Sequence, residues 1–313
     1  MAETVLCTGI AVADVIIRPV KGLPEEGKLL LVDEIELHAG GCAVNTAIGL
    51  ARLGVKVGVS GRVGQDGFGV FLKERLAVEG VDTTGLRVVP GERTSATAVM
   101  VSPKGERSFL HFLGANQQYG VEDFDLGLLK SYRILHLAGL LLMPAFDGEP
   151  AALIMRKAKE AGLITSLDTA WDSTGRWLKA VGPLLPHTDL FLPSLEEAKM
   201  LSGLKGPEEI ARFFLEAGVK TVALKMGSEG SYFKSSTGDE GYVPVFPVKA
   251  VDTTGAGDAF VAGFLAGYLF GWPLNKVVRL ANAVGGLAVS KMGATAGIKS
   301  LPETLRFAGL GQC

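Results

Sequence analysis

Asp252-Thr253-Thr254-Gly255-Ala256-Gly257-Asp258 leads directly into an apolar run, 259–269. The two glycines let the chain turn tightly and bring backbone N–H groups close to a ligand. The run after them reads as a helix. Its first N–H groups have no partner within it and lie at the positive end of its dipole. Turn and helix start together predict an anion site, with phosphate as its natural occupant. Asp258 is the odd member, because a carboxylate at the mouth of such a site repels an anion. Its presence there points to a chemical task.

Composition bounds the protein that carries this turn. With 313 residues, 48% apolar and 20% charged, the chain suits one large globular domain or two smaller ones. A net charge of −2 without a basic block argues against nucleic acid or a membrane surface as partner. The 42 glycines predict many tight turns and close backbone approaches. Cys7, Cys42 and Cys313 are odd in number and widely spaced, which predicts no disulfide framework and fits a reducing cytoplasm. Met1-Ala2-Glu3-Thr4 lacks the basic start and apolar run of a signal peptide. No uninterrupted apolar stretch reaches ~18 residues, the length needed to span a bilayer.

Hydrophobic patterning gives the fold class. Strands are predicted at 5–10, 55–60, 134–138, 163–168, 190–192 and 219–226, and most are followed by helical patterns. Gly40-Gly41-Cys42-Ala43-Val44-Asn45 opens one helix and Gly54 stops it. Helices at 149–161, 207–217 and 275–290 continue the alternation. This predicts an α/β fold: a doubly wound, mostly parallel sheet flanked by helices, with ligands beyond the carboxyl ends of its strands. Asp14, Asp168, Gly227 and the 252–258 turn are all placed at such ends. Residues 29–38 alternate as a half-exposed strand. The runs 94–101 and 107–112 flank Ser102-Pro103-Lys104-Gly105-Glu106 as a hairpin. Segments 12–38 and 93–114 are therefore predicted to form a small antiparallel β lid, and 1–11, 39–92 and 115–313 the core. Phe109, His111 and Phe112 either touch a ligand or cover a face of that lid.

Gly40-Gly41 with Asn45, and the 252–258 turn, resemble the two signatures of the ribokinase-like (PfkB) sugar and nucleoside kinases. The order of the remaining elements extends the resemblance over nearly the whole chain. It implies transfer of the γ-phosphoryl group of ATP to a hydroxymethyl group of a small polyol. Asp258 would accept the hydroxyl proton, and Gly255, Ala256, Gly257 and Asp258 would offer N–H groups to the moving phosphoryl. Such a division suits a reaction that gains most from positioning and charge neutralisation.

The same resemblance assigns the other ligands. Nucleotide would lie along Lys225, Gly227, Ser228 and Gly230, beside Asn282; a plain turn and a helix-packing amide are the alternatives. Glu197 aligns with an Asn-x-x-Glu element that organises Mg²⁺-bound water. Ser194 replaces the Asn, however, and Ser-x-x-Glu is equally a capping box. Asp252, with carbonyls near Thr254, Ala288, Lys291 and Gly293, resembles the loop with which many members hold K⁺. Asp14, Gly40, Gly41 and Asn45 suit a vicinal diol, with Arg107, Asn116 and Arg176 as candidates for a further polar rim.

Three positions depart from ribokinase. Val12 stands for an Asn, Cys42 for a Lys, and Leu137-Ala138-Gly139 lacks an acidic residue. A buried hydroxyl without a partner is costly, so ribose is expected to be a poor substrate. A nucleoside kinase of the same fold and a catalytically inactive sugar-binding regulator are the alternatives; Asp258 speaks against the second. Pairing through the lid would make a homodimer.

Other enzyme classes lack their signals. The first strand runs into Gly9-Ile10-Ala11-Val12-Ala13-Asp14, without the later glycines of a dinucleotide fingerprint. There is no P-loop, no histidine pair with metal-ligand spacing and no Gly-x-Ser-x-Gly turn.

Overall fold

Alternate residues of the first strand enter different cores. In β1 (Thr4–Gly9), Val5 and Cys7 pack on one face of the sheet and Leu6 on the other, as expected of a strand covered on both sides. The structure, a computed structural model, describes residues 4–311; Cys313 and the first three residues lie outside this range. After β1 come β2 (Val12–Arg18), β3 (Glu34–Gly40), α1 (Cys42–Arg52), β4 (Lys56–Gly64), α2 (Gly67–Val78) and β5 (Asp82–Val89). The hairpin β6 (Ala96–Val101) and β7 (Arg107–Phe112) follows. Then β8 (Ile134–Leu140), α3 (Glu149–Glu160), β9 (Ile164–Thr169), α4 (Trp177–Val181) and β10 (Leu190–Phe191) alternate. The chain continues through α5 (Leu195–Ser202), α6 (Pro207–Glu216), β11 (Thr221–Lys225), β12 (Ser231–Ser235) and β13 (Glu240–Val243). It closes with α7 (Ala256–Leu269), α8 (Leu274–Ala288) and α9 (Leu301–Ala308).

The large sheet has the order β13-β12-β11-β10-β9-β8-β1-β4-β5. All its pairs are parallel except β11–β12 and β12–β13. From β1 the chain fills one side with β4 and β5, then crosses to build the other side from β8 outward. Such a reversal of strand order opens a crevice beyond the carboxyl ends, and the doubly wound expectation holds.

A second sheet, β3-β2-β6-β7, makes the lid. Its two antiparallel pairs are joined by a parallel β2–β6 pair. Asp14 corrects one expectation: it is the third residue of lid strand β2, opposite His38 and Thr97, and not at the end of a core strand. The chain passes from β1 into the lid across Ile10 and Ala11, so the polar residue lands where the two sheets meet. Residues 29–33 do not extend β3 either. Their partner strand ends at Arg18, paired with Glu34, and among the described residues only Asp33 N still reaches it, donating to the Arg18 carbonyl at 3.0 Å.

Behind the crevice, α7 is buried almost all round, between α1 and α8. A Cβ added at Gly263 would lie 2.8 Å from Ala281 Cα, so that glycine sets how closely α7 and α8 approach. The helix begins at Ala256, three residues earlier than its apolar run, because Gly255 at φ 72° is the break that caps it. Asp258 therefore belongs to the first turn. Among the described residues, no helix is long and apolar enough to cross a membrane.

Candidate active site

Asp258 leaves the first turn of α7 and meets α1. Its Oδ2 accepts a hydrogen bond from Asn45 Nδ2 at 2.9 Å. Burial pushes its pKa up to about 6, against the lowering effects of Asn45, the Lys225 charge and the Cys42 thiol. A carboxylate held there at neutral pH is largely ionised yet basic enough to take a proton. Asn45 Oδ1 is buried with no hydrogen-bond partner. A buried amide oxygen left over in this way is an acceptor waiting for a donor.

The anion turn adjoins this carboxylate. Gly255 is required: besides its positive φ, a Cβ there would come within 2.6 Å of Ala294. Ala256 N–H turns back to the Thr253 carbonyl at 3.3 Å, so of the four expected donors this one is already engaged. Gly257 and Asp258 supply first-turn N–H groups that the helix itself does not use. A Cβ at Gly257 would stand 3.2 Å from Lys225 Nζ, which places that ammonium over the turn.

One cavity of about 720 Å³ runs from Asp258 and the turn across the carboxyl ends of β9 and β11. It gathers Glu197, Lys225, Gly227, Ser228, Gly230 and Asn282, with Phe246, Pro247 and Val248 as an apolar wall. Asp14, Gly40 and Gly41 lie on the lid side of Asp258. A Cβ on Gly40 would overlap the Asp14 carboxylate, so the glycine is what lets that strand pass. Burial pushes Asp14 up to about 6, opposed by a Thr97 hydrogen bond and the charges of His38 and Arg107; the Asp258 charge adds to the rise.

The sequence places Asp168 at a strand's carboxyl end but assigns it no role in the site. It is buried at the end of β9, 2.7 Å from Lys225 Nζ, and lines the cavity. Burial raises its pKa to about 7 despite the ammonium beside it. The available signal was a charged residue closing an apolar strand at the carboxyl edge. Glu197 caps α5 and also lines the cavity. Ser194 N donates to Glu197 Oε2 at 3.0 Å and Glu197 N to Ser194 Oγ at 3.3 Å, a capping box; the carboxylate also accepts from Thr169 Oγ1 at 3.2 Å and lines the cavity.

Residues 2–301 match the pfkB family carbohydrate kinase profile. The chain belongs to the PfkB family of carbohydrate kinases. It is a phosphotransferase that acts on an alcohol group. It is 30% identical to 2-dehydro-3-deoxygluconokinase of Bacillus subtilis over 297 residues, 90% of each chain. It is 35% identical to an ATP-dependent ribose-1-phosphate kinase of Halopiger xanaduensis over 294 residues, 93% of each. A structure of Arabidopsis thaliana ribokinase complexed with ribose and ATP superimposes at TM-score 0.87 and 27% identity, covering 98% of this chain and 99% of that one.

Several polar groups of this PfkB kinase hold the frame, Asn282 while also lining the cavity. Asn282 Nδ2 donates to the Val243 and Pro244 carbonyls at 2.9 and 3.1 Å, and its Oδ1 accepts from Ser231 Oγ at 3.1 Å. Its amide is fully engaged in pinning β12 and β13 to α8. Asn116 clamps Ala11, accepting from its N–H at 3.2 Å and donating to its carbonyl at 3.1 Å. Arg176 lies outside the lining of the cavity, paired with Asp147 at 2.9 Å and donating to the Leu141 carbonyl at 2.8 Å. It fastens the loop before α4 to the end of β8.

The expected cation loop is also organised differently. Asp252 is buried; its Oδ1 accepts from Thr254 N and its Oδ2 from Gly293 N, each at 2.7 Å. Ala288 ends α8 in the core and Lys291 is exposed beside them. The Arg107 guanidinium, from the lid, pairs with the same carboxylate and donates to Thr254 Oγ1. An arginine already neutralises the charge a monovalent ion would seek, so these residues do not fit K⁺.

Proposed function

We propose that this kinase transfers the γ-phosphoryl group of ATP to a hydroxymethyl group of a small sugar or sugar acid, with Asp258 as general base. The observation that carries this is the position of Asp258. One side of it opens on the glycine turn and cavity, and the other meets Asn45 near Asp14 and Gly40. A hydroxyl bound between Asp14, Asn45 and Asp258 would lose its proton to Asp258 as it attacks. The Gly257 and Asp258 N–H groups, with Lys225 Nζ, would take the charge of the phosphoryl in transit.

The nucleotide would occupy the cavity, its base against Phe246 and Val248 and its phosphates toward Gly227 and the turn. Glu197, which accepts from Thr169 Oγ1 and lines the cavity, would face Mg²⁺ and its waters, and the ion would neutralise phosphate charge there. Asp168 is already paired with Lys225. Asn282 contributes only by shaping the wall.

Ribose fits this site poorly. Val12 and Ala138 are buried, and a side chain at Gly139 would press on Ile10 and Cys42. A hydroxyl directed there would be buried without a partner. Acceptors that keep a vicinal diol for Asp14 but present less polar surface to this wall should be preferred. A coupled ADP-release assay with ATP and Mg²⁺ over a panel of sugars, sugar acids and nucleosides tests the reading, with Asp258→Asn as control. Turnover of ribose equal to the best substrate, or unchanged turnover in the variant, refutes it.

A second copy on the lid is proposed as well. Ile35, Leu110 and Phe112, on β3 and β7, are each more than half exposed on one face of the lid, an apolar surface that a partner lid would cover. Light scattering that returns a monomer mass would remove this part.

A further inference from the structure

Arg107 is the first residue of β7, on the outer edge of the lid, yet its side chain is only 13% exposed. It runs inward to Asp252, whose side chain is fully buried. There the guanidinium pairs with the carboxylate, donates to Thr254 Oγ1 and lies 3.2 Å from Met292 Sδ. A carboxylate so buried needs a countercharge, and no other positive side chain pairs with Asp252 among the described residues.

Asp252 in turn ties together two pieces of backbone. One is Thr254, at the entry to the 255–258 turn; the other is Gly293, in the loop after α8, whose neighbour Ala294 packs on Gly255. Charge-assisted hydrogen bonds of this kind are strong and directional. The conformation of the anion turn is therefore fixed by a cluster whose positive charge arrives from the lid.

We propose that Arg107 is a positioning residue that replaces a monovalent cation in this kinase: it holds Asp252, and through it the anion turn, so that the turn is set only when the lid is in place. The proposal rests on the kinase reading above and deepens it. Lid docking over the acceptor and ordering of the phosphoryl site become one event. A K⁺ ion at the same carboxylate would be repelled by the guanidinium already present.

The test compares wild type, Arg107→Lys and Arg107→Gln in KCl and in tetramethylammonium chloride at equal ionic strength, by steady-state kinetics and by thermal melting. Wild-type kcat and melting temperature are expected to agree in the two salts. Arg107→Gln should lose about tenfold or more in kcat, the scale of a disturbed transition-state contact, with acceptor KM changed by less than about threefold. Arg107→Lys should recover part of that loss. A wild-type protein that melts higher in KCl with a saturable dependence overturns the proposal, as does wild-type kcat in Arg107→Gln. If the wild type turns over no acceptor on the panel, the kinase reading fails on its own. The melting comparison still decides on Arg107, because it needs neither turnover nor a variant.

Discussion

Asn45 Nδ2 stands 2.9 Å from Asp258 Oδ2, joining side chains that are 213 residues apart in the chain. A donor to a buried carboxylate favours its charged form, which burial alone disfavours. The pair thus holds Asp258 near the middle of the physiological range, as a proton acceptor requires.

Asp258→Asn should lower kcat by roughly 10²–10⁴, the usual worth of a general base, and should also stabilise the fold. The folded pKa of about 6 lies above the ordinary carboxylate value, so the folded state binds this proton more tightly than the unfolded one. The corresponding stability is full below the ordinary value and lost as pH rises through about 6. At pH 8 the variant should gain on the order of 1–2 kcal/mol, allowing for partial solvent screening. At pH 5, between the ordinary and the folded values, roughly half of that gain should remain, and it should vanish only below the ordinary carboxylate value. Melting curves at the two pH values check both gains.

The acid limb of kcat/KM should fall as pH drops through about 6. Asn45→Asp would exchange a donor for a second carboxylate at the same distance. Like charge raises the pKa, so that limb should move up by about one unit. A pH–rate profile that stays in place would show that another group limits the reaction.

Lys225→Met should destabilise the protein by roughly 3–5 kcal/mol at pH 8, the cost of leaving one member of a buried ion pair alone. Asp168 is the member left behind. Adding Asp168→Asn should recover most of that stability, because the charge needing a partner is then gone, while activity should stay low in all three variants. Denaturant melts of the two single variants and the double variant measure the coupling.

Asn116→Ala removes two buried hydrogen bonds to Ala11 and should cost about 2–3 kcal/mol of stability. Because the amide faces backbone rather than the cavity, kcat should stay within about threefold of wild type once folded. A large loss of kcat at full folding would place Asn116 in the acceptor site after all.

The patterning of apolar residues was enough to foresee the doubly wound sheet, because a strand buried on both faces and a helix buried on one leave different periods in the chain. Gly255, Gly257 and Asp258 were equally legible: a helix start, a positive-φ position and a charge at an anion site are local properties. What stayed hidden was partnership. Asn282 and Glu197 each had two readings that local sequence could not separate. The fold engages Asn282 with three protein groups and leaves Glu197 both capping α5 and lining the cavity.

By itself, then, the sequence determined the layered α/β architecture and the glycine turn that opens a helix beside a carboxylate. Only the tertiary structure decided that Asn45 meets Asp258, that Lys225 pairs with Asp168, and that a lid arginine neutralises Asp252. Backbone conformation and amphipathic period depend on near neighbours in the chain. The countercharge of a buried group is whatever the packing of distant elements brings within about 3 Å of it.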